Sequence, residues 1–386
     1  MIPAFLKERI TNTAQRKITY ADYMAEVLYH PKHGYYMKEK EKVGAKGDFL
    51  TSSNVSDMYG KLFAGLFINY FKKNAIQPMI CEIGGGTGRF AKQLLEEWKK
   101  IDETFYQSVI YNMIETSPFH LKCQKELLVN EENVHYYSSL EDIPQTQMEG
   151  IVFSNELFDA FPVHVVERKD GEIMEVFVTL NEADTLEECI GNVSTQRILE
   201  YISFHQLKLK EGQRVEVPLA MEEYAKKLSG FLEKGSIITV DYGYTFAELA
   251  LPEHVEGSLR GYYQHTLVTD PLQHPSEMDL TTHIHINALE AVFETEGLTP
   301  VCQKRQGDFL VEAGILTYLQ ENFDSNPFSE KSKRNRAIRS LILDSGWSQS
   351  FQILIHEKNI KNSWNGIIDP CNVKKNCTMD NEKVEC

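Results

Sequence analysis

Nowhere does this 386-residue chain approach the roughly 18 to 20 consecutive apolar residues that a membrane-crossing helix needs. Its most apolar run, near Leu62 to Phe71, is interrupted by Asn69, so no insertion into a bilayer is expected. A secretory leader is not expected either, because Lys7, Arg9, Arg16 and Lys17 are scattered and no apolar core follows them. A transit-peptide reading stays open, since Glu8 is the one acid in that stretch, beside the reading as a helix that starts a domain. Cysteine is too sparse and too spread for a disulfide framework: seven residues, an odd number without tight spacing, point to reduced thiols. Cys371 and Cys377 lack a second pair, so no structural zinc is expected. The compartment read from these features is cytoplasmic, with the mitochondrial matrix as the alternative. Positive charge is short as well, at 40 Lys and Arg against 56 Asp and Glu. The resulting −16 disfavours nucleic acid as a partner and favours a cationic one, such as an Arg- or Lys-rich protein, although solubility alone would explain it. No internal repeat or low-complexity tract is present.

With 42% hydrophobic and 25% charged residues, the chain can bury a full core. Residues 1–75 read as a lead-in of helices and loops, helical at Tyr20 to Leu28 and rich in turn residues between His30 and Asp48. From Pro78 the pattern becomes an apolar strand at Met79 to Ile83, a glycine cluster, and a helix from Arg89 to Lys100 with Phe90, Leu94, Leu95 and Trp98 on one face. Further apolar runs at Ser108 to Ile114, Val134 to Tyr137, Gly150 to Ser154 and Ser236 to Val240 alternate with stretches that can be helical. This alternation predicts an α/β fold, a doubly wound and mostly parallel sheet of Rossmann-like type. The core is expected over 76–162 and 233–358, with a loop insertion at 242–286. The stretch 163–232 is expected to be an inserted, β-rich subdomain on the substrate side, because Val163 to Val166 and Ile173 to Leu180 flank the turn Lys169-Asp170-Gly171. A helix is expected at Asn287 to Glu296, strands near Leu298 to Cys302 and at Phe351 to His356, and a disordered tail over 359–386.

The strongest local signal is Glu82-Ile83-Gly84-Gly85-Gly86-Thr87-Gly88, directly between a strand and a helix, where a cofactor meets bare backbone. Gly84, Gly86 and Gly88 are therefore candidate cofactor contacts, although a tight turn would also need glycine. Glu115, closing the second strand, would reach ribose hydroxyls, and Glu82 is placed for the amino-acid part of a methionine. Both suit an adenosyl ligand with an amino-acid tail. A nicotinamide or flavin dinucleotide fits the same glycines and also uses an acid at the second strand end, so the spacing leaves both open. A Walker phosphate loop is excluded, because no Gly-Lys-Ser/Thr follows.

At the end of the fourth strand, Ser154-Asn155-Glu156-Leu157-Phe158-Asp159-Ala160-Phe161-Pro162 puts an amide and two carboxylates at the sheet edge where open α/β folds bind ligands. Asn155 is a candidate for the cofactor, and Glu156 and Asp159 are candidates for chemistry, against the alternative that Asn155 and Asp159 only cap a helix. His283 and His285 in Asp279-Leu280-Thr281-Thr282-His283-Ile284-His285 could share one face of an extended segment and hold a metal. No third ligand is fixed by spacing, so no metal is expected. The sequons at Asn192 and Asn376 carry no weight without a secretory signal.

Several longer strings identify a resemblance. They are Thr19-Tyr20-Ala21-Asp22-Tyr23-Met24, Leu28-Tyr29-His30-Pro31-Lys32-His33-Gly34-Tyr35-Tyr36, Gly47-Asp48-Phe49-Leu50-Thr51-Ser52 and the glycine loop, then Glu115-Thr116-Ser117-Pro118 with Gln124, and Asn155 to Ala160. Asp241-Tyr242-Gly243-Tyr244, Leu259-Arg260-Gly261-Tyr262 with His265, and Phe351-Gln352-Ile353-Leu354 complete the set. Together they resemble the MidA-type methyltransferases, a family that includes a mitochondrial arginine methyltransferase of complex I assembly. The resemblance implies a class I methyltransferase fold, S-adenosyl-L-methionine as donor with S-adenosyl-L-homocysteine as product, and a protein side chain, an exposed arginine, as acceptor. The chain departs from the family pattern at Ser53-Asn54, where Pro-Glu is usual, and at His285, where Asp is usual.

Methyl transfer from a sulfonium is an in-line displacement, so the protein mainly positions nucleophile and methyl group. A guanidinium acceptor, with a pKa above about 12, needs carboxylates to orient it and to stabilise the cation as a proton leaves. Glu156 and Asp159 are expected in that role, with Asp48 and His265 as further residues on the substrate side. Two other functions compete: a non-catalytic assembly factor that keeps the donor pocket and acts through a protein partner, and a nicotinamide-dependent oxidoreductase.

Overall fold

In the computed structural model, residues 2–40, 42, 56–144, 147–321, 326–343 and 351–368 are described. The chain divides into two compact units. One takes residues 1–49, 156–228 and 242–296; the other takes 50–155, 229–241 and 297–386.

The second unit is built on the sheet that the apolar runs predict. Its main strands are β1 (Met79–Ile83), β2 (Ile110–Ile114), β3 (Val134–Tyr137), β4 (Met148–Asn155), β5 (Leu232–Tyr244), β6 (Thr299–Arg305) and β7 (Phe351–Lys358), in the order β3-β2-β1-β4-β5-β7-β6, and the short strand Ile284–His285 pairs in parallel with the end of β5. β1 pairs in parallel with β2 from Met79↔Ile110 to Ile83↔Ile114, and with β4 from Ile80↔Ile151 to Ile83↔Ser154. β4 and β5 are parallel as well, whereas β6 and β7 are antiparallel. The order of strands reverses at the β1–β4 pair, and in open α/β sheets the crevice at such a switch is the ligand site.

Helices pack on this sheet. The helix Arg89–Ile101 buries Phe90, Ala91, Leu94, Leu95 and Trp98, the face its sequence predicts, and Trp98 donates its indole proton to the Ala64 carbonyl at 3.0 Å. The helix Asp57–Asn74 differs from expectation. Its sequence position falls in the expected lead-in, but eleven of its 18 residues are buried, so it belongs to the core of this unit. Phe63 packs on Phe90, Phe153 and Phe309, and Phe67 packs on Trp364.

That last contact corrects the expected disordered tail at its start. Trp364 is fully buried, stacks on Tyr70 with ring centroids 4.8 Å apart, and donates to Ser236 Oγ at 2.8 Å. A single aromatic with long-range partners outweighs the polar composition around it over 359–368. Residues 369–386, with Cys371, Cys377 and Asn376, lie outside the described residues.

In the other unit, Lys17–Thr19, Glu172–Leu180, His164–Lys169 and Arg214–Val217 form an antiparallel sheet in that order, with Leu186–Gly191 also on Glu172–Leu180. The hairpin turns at Asp170 and Gly171, both in left-handed backbone (φ 53° and 81°), as Asp-Gly between β-rich runs predicts. Leu6, Ile10, Tyr20, Met24 and Leu28 from the N-terminal helices share one core cluster with Val163, Val165, Val176 and Val178. The start of the chain therefore packs with the insertion and does not stand apart as a lead-in. The stretch expected as loop, 242–286, contains a three-stranded sheet of Arg260–Tyr263, Thr266–Val268 and Asp279–Thr281. Its strands are only three or four residues long, too short to show a period in the sequence. Among the described residues no helix is long and apolar enough to cross a membrane.

Candidate functional site

The glycine loop leaves β1 at the switch point. Gly84, Gly86 and Gly88 have φ of 68°, 52° and 83°, a region that costs residues with a side chain and that glycine adopts freely. Gly84 N–H donates to the Ile114 carbonyl and Gly88 N–H to the Gly85 carbonyl, both at 2.9 Å. A Cβ on Gly86 would meet no atom within 4 Å, so this position opens onto free space, whereas one on Gly85 would lie 2.9 Å from Glu82 Cδ. The loop thus rests on the Glu82 carboxyl group and turns Gly86 outward.

Two buried acids flank it. Glu82 Oε2 accepts the Tyr111 hydroxyl proton at 2.8 Å. Burial pushes the Glu82 carboxyl up to about 7, with the Tyr111 bond pulling down and the Glu115 charge adding to the rise. Glu115, at the end of β2, accepts from Ser117 N–H at 2.8 Å through Oε1, and its Oε2 lies 3.7 Å from His120 Nδ1. Ser117 caps the helix Pro118–Leu127, which brings Gln124 back to donate to the Gly86 carbonyl at 2.8 Å. Glu115 is a fixed carboxylate suited to a vicinal diol. Two buried acids against the loop disfavour a pyrophosphate there and suit a ligand that carries positive charge.

At the end of β4, Asn155 Oδ1 lies 3.5 Å from the hydroxyl of the buried Tyr59. Glu82, Gly84, Gly86, Gly88, Glu115 and Asn155, all the residues expected to bind the cofactor, are thereby in one unit, at the ends of β1, β2 and β4.

Glu156, Asp159 and His265 belong to the other unit. Glu156 is in left-handed backbone (φ 52°), a strained conformation for a residue with a side chain. Asp159 is buried within the short 3-10 turn Phe158–Ala160. Its Oδ2 accepts from Thr281 Oγ1 at 2.8 Å and its backbone carbonyl accepts from Thr282 N–H at 2.9 Å, so it anchors the Asp279–Thr281 strand. Its Oδ1 has no hydrogen-bond partner among the described residues. Burial pushes the Asp159 carboxyl up to about 6, opposed first by the Thr281 bond, then by the backbone N–H groups of Ala160 and of Asp159 itself, and last by the Arg260 charge. Close by, Tyr36 donates to Asp279 Oδ1 at 2.6 Å.

His265 is exposed at the tip of the hairpin between Arg260–Tyr263 and Thr266–Val268, with Gln264 and His265 both in left-handed backbone. The structure places it in a turn. Asp48, like Ser53 and Asn54, lies outside the described residues. His283 and His285 do not converge on a metal site. The His283 ring stacks on Tyr244 at 4.0 Å and receives Arg260 Nη2, while His285 Nδ1 lies 2.6 Å from the Tyr201 hydroxyl. Among the described residues no three His, Cys, Asp or Glu are grouped for a metal ion. Burial, followed by the charge of His205, holds His285 down to about 3, a neutral imidazole where the family pattern has Asp.

The motifs alone did not identify Tyr111, Tyr59 or Thr281. Tyr111 lies two residues before Met113, the partner of Glu82 in the β1–β2 register, and so shares its face of the sheet. Thr281 comes to Asp159 from 122 residues away in sequence, a contact that no local pattern encodes.

Comparison with known proteins agrees with this geometry. Residues 62–302 match a family model described as "Putative S-adenosyl-L-methionine-dependent methyltransferase". A Drosophila melanogaster protein named protein arginine methyltransferase NDUFAF7 homolog, mitochondrial, is 28% identical over 353 residues, covering 82% of this chain and 77% of its own. Its human counterpart, protein arginine methyltransferase NDUFAF7, mitochondrial, is 25% identical over 352 residues, covering 83% and 75%. A crystal structure from Burkholderia thailandensis, bound to S-adenosyl-homocysteine, superposes with a TM-score of 0.83 at 23% identity, over 93% of this chain and 92% of that one.

Proposed function

The chain belongs to the S-adenosyl-L-methionine-dependent methyltransferase family, and from that premise we propose that its acceptor is an arginine side chain of a protein partner. The buried, one-sided Asp159 carboxylate carries this reading. Thr281 fixes one oxygen and leaves the other for a guanidinium N–H, the group a carboxylate recognises best. Support also comes from relatives named protein arginine methyltransferases that align over more than three quarters of this chain. Glu156 joins Asp159 in this role. One peptide bond separates it from Asn155, so the donor-side amide and the first acceptor-side acid follow each other in the chain.

When bound, the donor supplies an electrophilic methyl group on a cationic sulfur. In this reading Glu115 would hold its ribose diol, Gly86 would let it approach the backbone, and Glu82 with Asn155 would face its amino-acid end, a reading supported by the open space at Gly86 and the buried acids beside the loop. Glu156 and Asp159 orient the guanidinium and stabilise its charge as the attacking nitrogen gives up a proton. His265 and Asp48 have no assigned step. The named relatives are mitochondrial, which supports the matrix alternative over the cytoplasmic expectation.

The test is incubation of the purified chain with methyl-labelled donor and proteins from cells that lack it, followed by mass spectrometry of modified residues. Methylarginine at sites that depend on the chain is expected. Label confined to other residues would overturn the arginine assignment, and no label at all would favour an assembly factor that acts by binding.

A further inference from the structure

The helix Glu330–Ile342 runs against the charge of the whole chain. It carries Lys331, Lys333, Arg334, Arg336 and Arg339 against the single acid Glu330, a net of +4 in a chain of −16. Its inner face is set by Ile338 and Leu341, both buried, and by Arg334, whose guanidinium lies 6.0 Å from the centre of the Tyr318 ring. Lys333, Arg336, Arg339 and Leu343 are exposed and follow one another at steps of three or four residues, so they line the outer face. Glu330 pairs with Lys333 at 2.8 Å, an exposed contact that solvent screens.

Apolar side chains gather at the same place. Among the described residues ten large hydrophobic side chains are exposed, and five of them, Val311, Leu316, Leu319, Phe328 and Leu343, fall between residues 311 and 343, a concentration that marks an interaction surface. The segments that bear them are neighbours, because the helix Gln306–Glu312, the 3-10 turn Ile315–Tyr318 and the basic helix pack on one another. Asn335 holds Leu319 beside the basic helix, accepting from Gln320 N–H at 3.1 Å and donating to the Gln320 carbonyl at 2.7 Å. Phe328 is 74% exposed, yet its backbone is fixed. Its N–H donates to Asn326 Oδ1 at 2.9 Å, Ser332 Oγ donates to the Asn326 carbonyl at 3.0 Å, and Arg336 donates to the Pro327 carbonyl. The ring is thus presented beside the outer cations, and burying it is a gain that the isolated chain leaves unused.

Phe328 and Leu343 stand at opposite ends of a 13-residue helix, which spans about 20 Å, with Lys333, Arg336 and Arg339 between them. The outer face of a single helix is a ridge. A folded protein would need a groove of matching shape and charge to cover it, whereas lipid headgroups rearrange around a ridge, meet its cations with phosphates and admit its apolar ends to the acyl boundary. We propose that this face, with Phe328 and Leu343 at its ends, docks the protein on an anionic phospholipid surface without crossing it. The acidity of the rest of the chain does not prevent this, because at physiological ionic strength charges further away than about 8 Å are largely screened. The proposal does not depend on the identity of the acceptor.

The test is flotation of the full chain with vesicles of phosphatidylcholine alone and of phosphatidylcholine with about 30% phosphatidylglycerol, at about 0.1 M and about 0.5 M salt. Binding is expected on the anionic vesicles at the lower salt, and at least about tenfold weaker binding at the higher salt and on the neutral vesicles. Lys333→Gln, Arg336→Gln and Arg339→Gln combined should weaken it by about 100-fold, roughly fivefold for each cation. Phe328→Ser should weaken it too and leave its salt dependence unchanged. Should the triple variant fail to fold, Arg339→Glu, a change at one exposed side chain, must weaken binding at least about fivefold. Equal binding to neutral and anionic vesicles, or binding that survives the loss of the cations, would overturn the proposal. A chain that binds poly-L-glutamate but neither kind of vesicle would overturn it as well and assign the face to an acidic protein, and a chain that binds none of the three would leave the face without a docking role.

Discussion

Tyr111 donates its hydroxyl proton to Glu82 Oε2 at 2.8 Å, beneath the glycine loop. The pair ties the second strand to the acid that ends the first, at the depth where a Cβ on Gly85 would already touch the carboxyl group. Burial has raised this acid from 4.5 to about 7, so the folded state binds a proton more tightly than the unfolded chain. Its contribution to stability is complete below pH 4.5 and is lost as the pH rises through about 7, amounting to about 3 kcal/mol over that interval. Glu82→Gln should therefore gain on the parent between pH 5 and pH 8, as read by urea unfolding at the two ends. Parallel curves for parent and variant would refute this.

Gly86→Val should fold yet fail to bind donor. The side chain enters open space and meets no protein atom, so the folding penalty is the left-handed backbone alone, roughly 1–3 kcal/mol. The same side chain stands where the loop is open to ligand. Calorimetry with S-adenosyl-L-homocysteine is expected to show at least a tenfold weaker affinity, and undiminished affinity would move the donor away from Gly86.

Glu156→Gln should lower kcat/KM for methyl transfer by roughly 100-fold with donor affinity unchanged, as loss of one oriented charge at a reacting centre usually does. Full turnover would remove Glu156 from the acceptor side.

Activity should also fall as the pH drops below about 6, because Asp159 gains its proton there and can no longer hold a cation. In Asp159→Asn that acid limb should vanish along with most of the rate. A limb that persists in the variant belongs to another group.

Trp364→Ala should cost roughly 3–5 kcal/mol in an unfolding titration, the usual range for removing a buried aromatic. Ser236 and Tyr70 would lose a partner as well. A change below 1 kcal/mol would mean that residues 359–368 are as dispensable as their composition suggests.

The sheet was legible because Met79 to Ile83, Val134 to Tyr137 and their neighbours are apolar runs bounded by turn residues, a pattern set by burial on both faces. The glycine loop and Glu115 were legible because backbone approach and a strand-end acid leave a local signature. The strings identified as MidA-like pointed to the same family that the model match over 62–302 shows. Contacts between distant segments were hidden. Trp364 sits among polar residues, and Phe67, Tyr70 and Ser236, far along the chain, explain its burial. The Asp159–Thr281 and Arg260–His283 pairs depend on three very short strands whose register cannot be read from alternation.

The place of β7 in the sheet has a consequence for biosynthesis. It lies between β5 and β6, yet it is made after both. Until residues 351–358 have been made, β6 lacks its neighbour and β5 has one bare edge, so this sheet cannot close before that strand arrives. Until that strand arrives, the nascent chain exposes the hydrogen-bonding edges that invite misassociation, and a chaperone that shields them would raise the yield of active protein more than any that acts on the strands made earlier.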